Sequence, residues 1–150
     1  MINNIIHVGI TVKNMDKSIE FYRDVLGLKF LGEIVMEGKE TEILFGRENC
    51  RVRVAYLSES DKIGTPPVEL IQFTDSEAED DTASLHKVSI SEICFCTDDI
   101  DGVYEELKGK SVEFISEPQD FDFTEYGFGK SRAVYFRDNN GIILELMQNL

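Results

Sequence analysis

The stretch Val68-Glu69-Leu70-Ile71-Gln72 returns near the end of the chain as Leu144-Glu145-Leu146-Met147-Gln148. Each copy sets one carboxylate in an otherwise apolar, strand-like run. A charge there is costly unless something compensates it. Finding the arrangement twice, each time closing a similar block, points to a duplicated unit that brings two glutamates to a common site.

Working outward from the first copy, the preceding residues read as a β-α-β-β-β block. Residues 4–12 alternate, with Ile6, Val8, Ile10 and Val12 on one face and Ile5, His7, Gly9 and Thr11 on the other. Ser18, Ile19, Phe21, Tyr22, Val25 and Leu26 follow helical spacing behind a candidate N-cap at Asn14 or Asp16, and Gly27 stops the helix. Strand-like runs follow at 28–33, 40–45 and 51–57. Gly64, Pro66 and Pro67 break the chain before the strand at 68–73. The acidic stretch 74–84 lacks periodicity and reads as a linker.

The second copy closes a block of the same order. Residues 89–97 read as a strand, 98–101 as a turn and cap, and Val103, Tyr104 and Leu107 as a short helix stopped at Gly109. A strand at 112–115 precedes a long loop, 116–130, that carries Phe121, Phe123, Tyr126 and Phe128. A strand at 131–136, a tight turn at 137–141 and a strand at 142–147 complete the block. Aligning Asp16 with Asp101 places His7 over Glu92, and Glu69 falls over Glu145. His7, Glu69, Glu92 and Glu145 thus occupy equivalent positions. One imidazole with three carboxylates in a half-closed apolar cleft suits a divalent metal, which would compensate the charges.

Composition narrows the classes. The chain has 150 residues, 42% of them hydrophobic and 29% charged, as expected for a globular protein of one domain or two small lobes. The formal net charge of −14 argues against a nucleic-acid surface or a basic membrane-binding patch. The three cysteines, Cys50, Cys94 and Cys96, show neither a disulfide framework nor a C-x-x-C zinc spacing. Cys94 and Cys96 read as small buried apolar residues. With no signal peptide and no long apolar run, the expected compartment is the cytoplasm.

Four segments resemble the vicinal oxygen chelate superfamily of glyoxalases, bleomycin-resistance proteins and dioxygenases. They are HVGITVKNMDKSIEFYRDVLGLKF from His7, VRVAYL with VELIQF closing the first block, EICFCTDDID opening the second, and YFRDNNGIILELMQ at the end. The resemblance implies an α+β fold of two tandem βαβββ modules forming a curled mixed sheet around a cleft. It implies one glyoxalase-like domain over 1–150, with module one at 4–73, a linker at 74–88 and module two at 89–148. It further implies His7, Glu69, Glu92 and Glu145 as metal ligands, although glyoxalase I and the acyl-CoA epimerases commonly have histidine where Glu92 stands. The implied cofactor is a divalent ion (Mn, Ni, Zn, Mg or Co), and the harder His-plus-three-Glu set leans toward Mn, Mg or Ca.

The implied activity is that of a lyase or isomerase of the glyoxalase I or epimerase type. It would transfer a proton next to a carbonyl, with Glu145 or Glu92 as base. The partners implied are a small-molecule substrate and a second copy of the chain in a homodimer. A non-catalytic small-molecule binding or resistance protein using the same cleft is the alternative, and an Fe(II) dioxygenase a third reading. Structural explanations stand beside these. Glu69 or Glu145 could pair with Arg51, Arg53 or Arg132. Arg51 and Arg53 could bind an anionic substrate group. The aromatics of 116–130 could form a lid or pack on the core, and His86 reads as an exposed linker residue.

Overall fold

Asn14 starts the first helix: its side-chain oxygen accepts from the backbone N–H of Lys17 at 3.0 Å, satisfying one of the unpaired donors of the first turn. The computed structural model describes residues 6–60, 67–78, 83–86 and 88–150. Asn4 and Ile5 of the expected first strand, the breakers Gly64 and Pro66, and linker residues 79–82 and 87 lie outside them. The chain divides into two units, Met1–Asp80 and Asp81–Leu150. Each carries one four-stranded mixed sheet and helices, an α+β architecture.

In the first unit the order is β1 (Val8–Thr11), α1 (Met15–Glu20), β2 (Lys29–Met36), α2 (Lys39–Phe45), β3 (Val52–Ser58) and β4 (Val68–Phe73). The helix α1 runs on through a wider π-turn at Phe21–Val25, in which Leu26 N–H reaches the Phe21 carbonyl at 3.0 Å. Gly27, at φ 78°, then turns the chain into β2, a conformation that glycine adopts without a Cβ penalty. The sheet order is β1-β4-β3-β2, with β1 parallel to β4 and the other pairs antiparallel. Parallel pairing of β1 with the last strand requires the crossover that α1 and the meander supply. Met15, Ile19 and Tyr22 are buried, as are Ile10, Leu57, Val68 and Leu70 on alternate positions of the strands.

The second unit repeats the plan with β5 (Ile93–Cys96), α3 (Ile100–Gly109), β6 (Gln119–Phe123), β7 (Gly129–Arg137) and β8 (Ile143–Asn149). Its sheet order is β5-β8-β7-β6, with β5 parallel to β8. Asp99 caps α3 by accepting from Gly102 N–H at 3.0 Å. Ile100, Leu107, Val134, Phe136, Leu144 and Leu146 are buried. The buried Asp138 accepts from the backbone N–H groups of Asn140 and Ile142, both at 2.8 Å, and so fixes the turn into β8.

Two local expectations are corrected. Residues 40–45 are helical, not a strand. Gly38 (φ 93°) and Gly46 (φ 62°) break the extended chain on either side. Thr41 and Phe45, four apart, face inward, where Phe45 packs on the cluster of Cys50, Val52 and Val54; Ile43 and Leu44 are exposed. In the second unit, 112–115 contributes a single bridge, Phe114 to Phe136, and the edge strand is β6, inside the segment read as loop. The Phe114 ring packs on Tyr104 and Phe136, at 4.6 and 5.6 Å between centroids. The edge is interrupted at 116–118, where Pro118 has no N–H to give to a ladder, and resumes at Gln119.

Candidate functional site

Strand alternation decides which side chains meet. On β4, Val68 and Leu70 are buried, so Glu69 points to the opposite face. There its neighbours are set by register: Gly9 of β1 on one side and Tyr56 of β3 on the other. The Tyr56 hydroxyl donates to Glu69 Oε1 at 2.7 Å. His7, on the residues leading into β1, places Nε2 at 3.2 Å from Glu69 Oε2. Its ring lies tilted against Tyr56, 6.2 Å between centroids. The Glu69 side chain is 13% exposed and that of His7 41%, so the pair opens to solvent on the imidazole side. Burial first, then the hydrogen bond to Glu69, pushes the Tyr56 phenol up to about 12.

Gly9 makes the arrangement fit. A Cβ at this position would stand 3.3 Å from Glu69 Oε2 and 3.3 Å from Ile71 Cδ1. The missing side chain leaves the space beside Oε2 unfilled, next to an imidazole nitrogen. A nitrogen and a carboxylate oxygen side by side are donor types that a divalent transition ion takes, so His7 and Glu69 fit the expected ion as a two-donor portion of its ligands.

The second unit places Glu145 by the same rule, with Cys94 of β5 and Tyr135 of β7 opposite it in register. Here the small residue is not glycine. Cys94 hydrogen-bonds to Glu145, and desolvation, that bond and the charge of Glu145 push the thiol up to about 12. Tyr135 is also raised, by burial first and then by the charges of Glu145, Glu92 and Cys94. Glu92 and Glu145 therefore share one electrostatic neighbourhood, and both are half-buried. Among the described residues, Tyr135 makes no counterpart of the Tyr56 hydrogen bond.

The structure thus groups His7 with Glu69, and Glu92 with Glu145. Among the described residues no three His, Cys, Asp or Glu side chains are gathered as a metal cluster. The arginines take other partners. Arg53 bonds Glu33 at 2.6 Å and Asp16 at 2.8 Å, Arg51 pairs with Glu37 at 3.0 Å, and Arg132 bonds Asp101 at 2.9 Å and Asp120 at 2.8 Å. Cys94 and Cys96 are exposed, contrary to expectation, because they share the Glu145 face of β5; Cys50 is buried. Phe121, Phe123, Tyr126 and Phe128 are exposed, Tyr126 at 75% and Phe128 at 82%, with the Phe121 and Phe123 rings stacked at 5.7 Å. His86 is exposed. Tyr56, Tyr135 and the contact of Cys94 with Glu145 were missed in the sequence. Their signal lay in the equivalent runs Val54-Ala55-Tyr56-Leu57 and Ala133-Val134-Tyr135-Phe136, each leading to the opposing glutamate.

Comparison with known proteins gives the same duplicated plan. A glyoxalase family protein from Bacillus cereus superposes with a TM-score of 0.85 at 24% identity, covering 100% of this chain and 96% of that one. Glyoxalase I from Leishmania major superposes at 0.68 with 18% identity, over 97% of this chain and 86% of its own. A glyoxalase I variant from Zea mays superposes at 0.69 with 18% identity, over 95% of this chain and 43% of its own. At these identities the likeness establishes the fold. No curated protein matches the sequence. No helix among the described residues is long and apolar enough to cross a membrane. The family model of the glyoxalase/bleomycin resistance protein/dioxygenase superfamily matches residues 4–146, and the chain belongs to that superfamily.

Proposed function

We propose that the chain is a metal-dependent lyase or isomerase that transfers a proton next to a carbonyl, in the manner of glyoxalase I or an acyl-CoA epimerase. In this reading it is cytoplasmic and homodimeric, and His7, Glu69, Glu92 and Glu145 hold one divalent ion. The observation that carries it is the half-buried Glu69 carboxylate, whose Oε2 lies 3.2 Å from His7 Nε2 in the space that Gly9 leaves open. When bound, such an ion stabilises negative charge developing on a substrate carbonyl oxygen.

The chain's own residues divide the remaining work. Glu69 is fixed by Tyr56 and serves to hold. Glu145 is held by a thiol, a weak donor. It is therefore the freer carboxylate and the better placed of the two to take a proton from the carbon next to a carbonyl and return it. Glu92 contributes a second negative charge beside it and is the other candidate base.

The test is divalent-metal content and affinity of the purified protein, compared with Glu69→Gln and Glu145→Gln variants. The expected result is metal binding by the wild type and strong loss in both variants. Wild-type protein that binds no more metal than the variants ends the catalytic reading. Conversion of a methylglyoxal–thiol adduct, against epimerisation of an acyl thioester, then separates the two reaction types.

A second reading, a non-catalytic small-molecule binding protein, is favoured by the exposed aromatics Phe121, Phe123, Tyr126 and Phe128. Metal-independent binding of an apolar fluorescent probe, abolished by Phe121→Ser with Phe123→Ser, would support it.

A further inference from the structure

We propose that Tyr56 is a positioning residue that makes Glu69 a one-oxygen donor and thereby selects small divalent ions over calcium. The inference rests on the metal-site reading above. Register sets Tyr56 directly opposite Glu69 in the β3–β4 ladder, so the phenol reaches the carboxylate without leaving its own strand. Its hydroxyl donates to Oε1 at 2.7 Å, while Oε2 lies beside His7 Nε2 at 3.2 Å. Each oxygen therefore has a separate partner, and swinging the carboxylate to present both on one side would break the tyrosine bond.

The neighbouring β3–β4 pairs on this face are apolar, Val54 with Ile71 and Val52 with Phe73, so among the described residues these pairs bring no competing donor to Oε1. A calcium ion takes six to eight oxygens and often both oxygens of one carboxylate, whereas a smaller ion accepts one. Occupying Oε1 thus penalises the larger ion. The equivalent Glu145 supplies an internal contrast. Tyr135 stands opposite it in the same register, and its hydroxyl makes no such bond among the described residues.

The experiment titrates cobalt(II) and calcium separately into wild type, Tyr56→Phe and Tyr135→Phe by calorimetry, with far-UV circular dichroism confirming that each variant is folded. Groups that orient a ligand from outside the coordination sphere typically contribute ten- to a hundredfold in affinity. Tyr56→Phe is therefore expected to lose about tenfold or more in cobalt affinity, and to raise the ratio of calcium to cobalt affinity. Tyr135→Phe is expected to leave both near wild type.

Unchanged cobalt affinity and an unchanged ratio in Tyr56→Phe would overturn the role of Tyr56 while leaving the metal site standing. Equal losses in the two variants would overturn it as well, since the effect would not then follow the hydrogen bond. Wild-type protein that takes up neither ion would overturn the positioning role together with the metal-site reading.

Discussion

Gln148 reaches back from the last strand and closes the helix that begins at Ile100. Its Oε1 accepts from Ile100 N–H at 3.0 Å and its Nε2 donates to the Asp98 carbonyl at 2.9 Å. Gln72 does the same in the first unit, accepting from Met15 N–H at 3.1 Å and donating to the Lys13 carbonyl at 3.0 Å. The glutamine that follows each glutamate by three residues thus lies on the helix face of its strand, and the glutamate on the other. Met15 and Ile100 are fully buried residues, so a freed N–H has little access to water. Gln72→Ala and Gln148→Ala should each lower unfolding free energy by about 1–3 kcal/mol, the cost of an unsatisfied buried donor. Urea denaturation checks this, and a loss too small to measure in either variant would show that water replaces the amide.

Arg53 clamps two elements of its unit together. Its guanidinium spans Glu33 on β2 and Asp16 on α1, and those bonds hold it charged. Arg132 repeats the device with Asp120 and Asp101. Arg53→Ala should therefore cost stability, on the order of 1 kcal/mol for a partly solvated pair, and leave metal affinity and substrate KM unchanged. A rise in KM without loss of stability would return Arg53 to the substrate.

What was legible in the sequence follows from periodicity. Alternation in 7–12 and the paired glutamate strands gave the sheet faces, and Gly27 and Gly109 gave the ends of the helical segments. The helix at Lys39–Phe45 was hidden because Thr41, Ile43 and Phe45 alternate as a strand does; the flanking positive-φ glycines decide the matter only once seen in place. The edge strand β6 was hidden because its residues are exposed and it joins the sheet through β7 alone. Tyr56 and Glu69 are thirteen residues apart, and only the register of β3 on β4 makes them partners. Cys94 is exposed on the face it shares with Glu145, which cysteine's usual apolar habit hides in the sequence.

Gly9→Ala tests the space beside Glu69. Backbone strain is not at stake, since Gly9 is not among the positive-φ glycines. The added Cβ would sit 3.3 Å from both Glu69 Oε2 and Ile71 Cδ1, so the carboxylate must shift by a few tenths of an ångström. Replacing a strand glycine gains roughly 0.5–1 kcal/mol in chain entropy, which offsets this crowding. Stability should change little while cobalt affinity falls several-fold. Unaltered affinity would show that Oε2 is not the oxygen used.

Cys94 gives a prediction on the pH scale. The thiolate is the species that alkylates. Desolvation, the hydrogen bond to Glu145 and its negative charge all favour the protonated thiol and raise it from its ordinary value to about 12. The sign is that alkylation at pH 8 is suppressed although the residue is exposed. A thiolate fraction lower by about three orders of magnitude, partly offset by the greater nucleophilicity of a more basic thiolate, leaves the rate with iodoacetamide roughly thirty- to sixtyfold below that of an ordinary thiol. Glu145→Gln removes the charge but not the desolvation. Its thiol should titrate at lower pH than wild type and react several-fold faster, without reaching the rate of the denatured chain. Mass mapping in a Cys96→Ser background, from pH 7 to 10, reads Cys94 by itself. Fast alkylation in the folded wild type, or a rate indifferent to Glu145→Gln, would separate the thiol from the carboxylate. Glu145 would then lack the thiol as a tether.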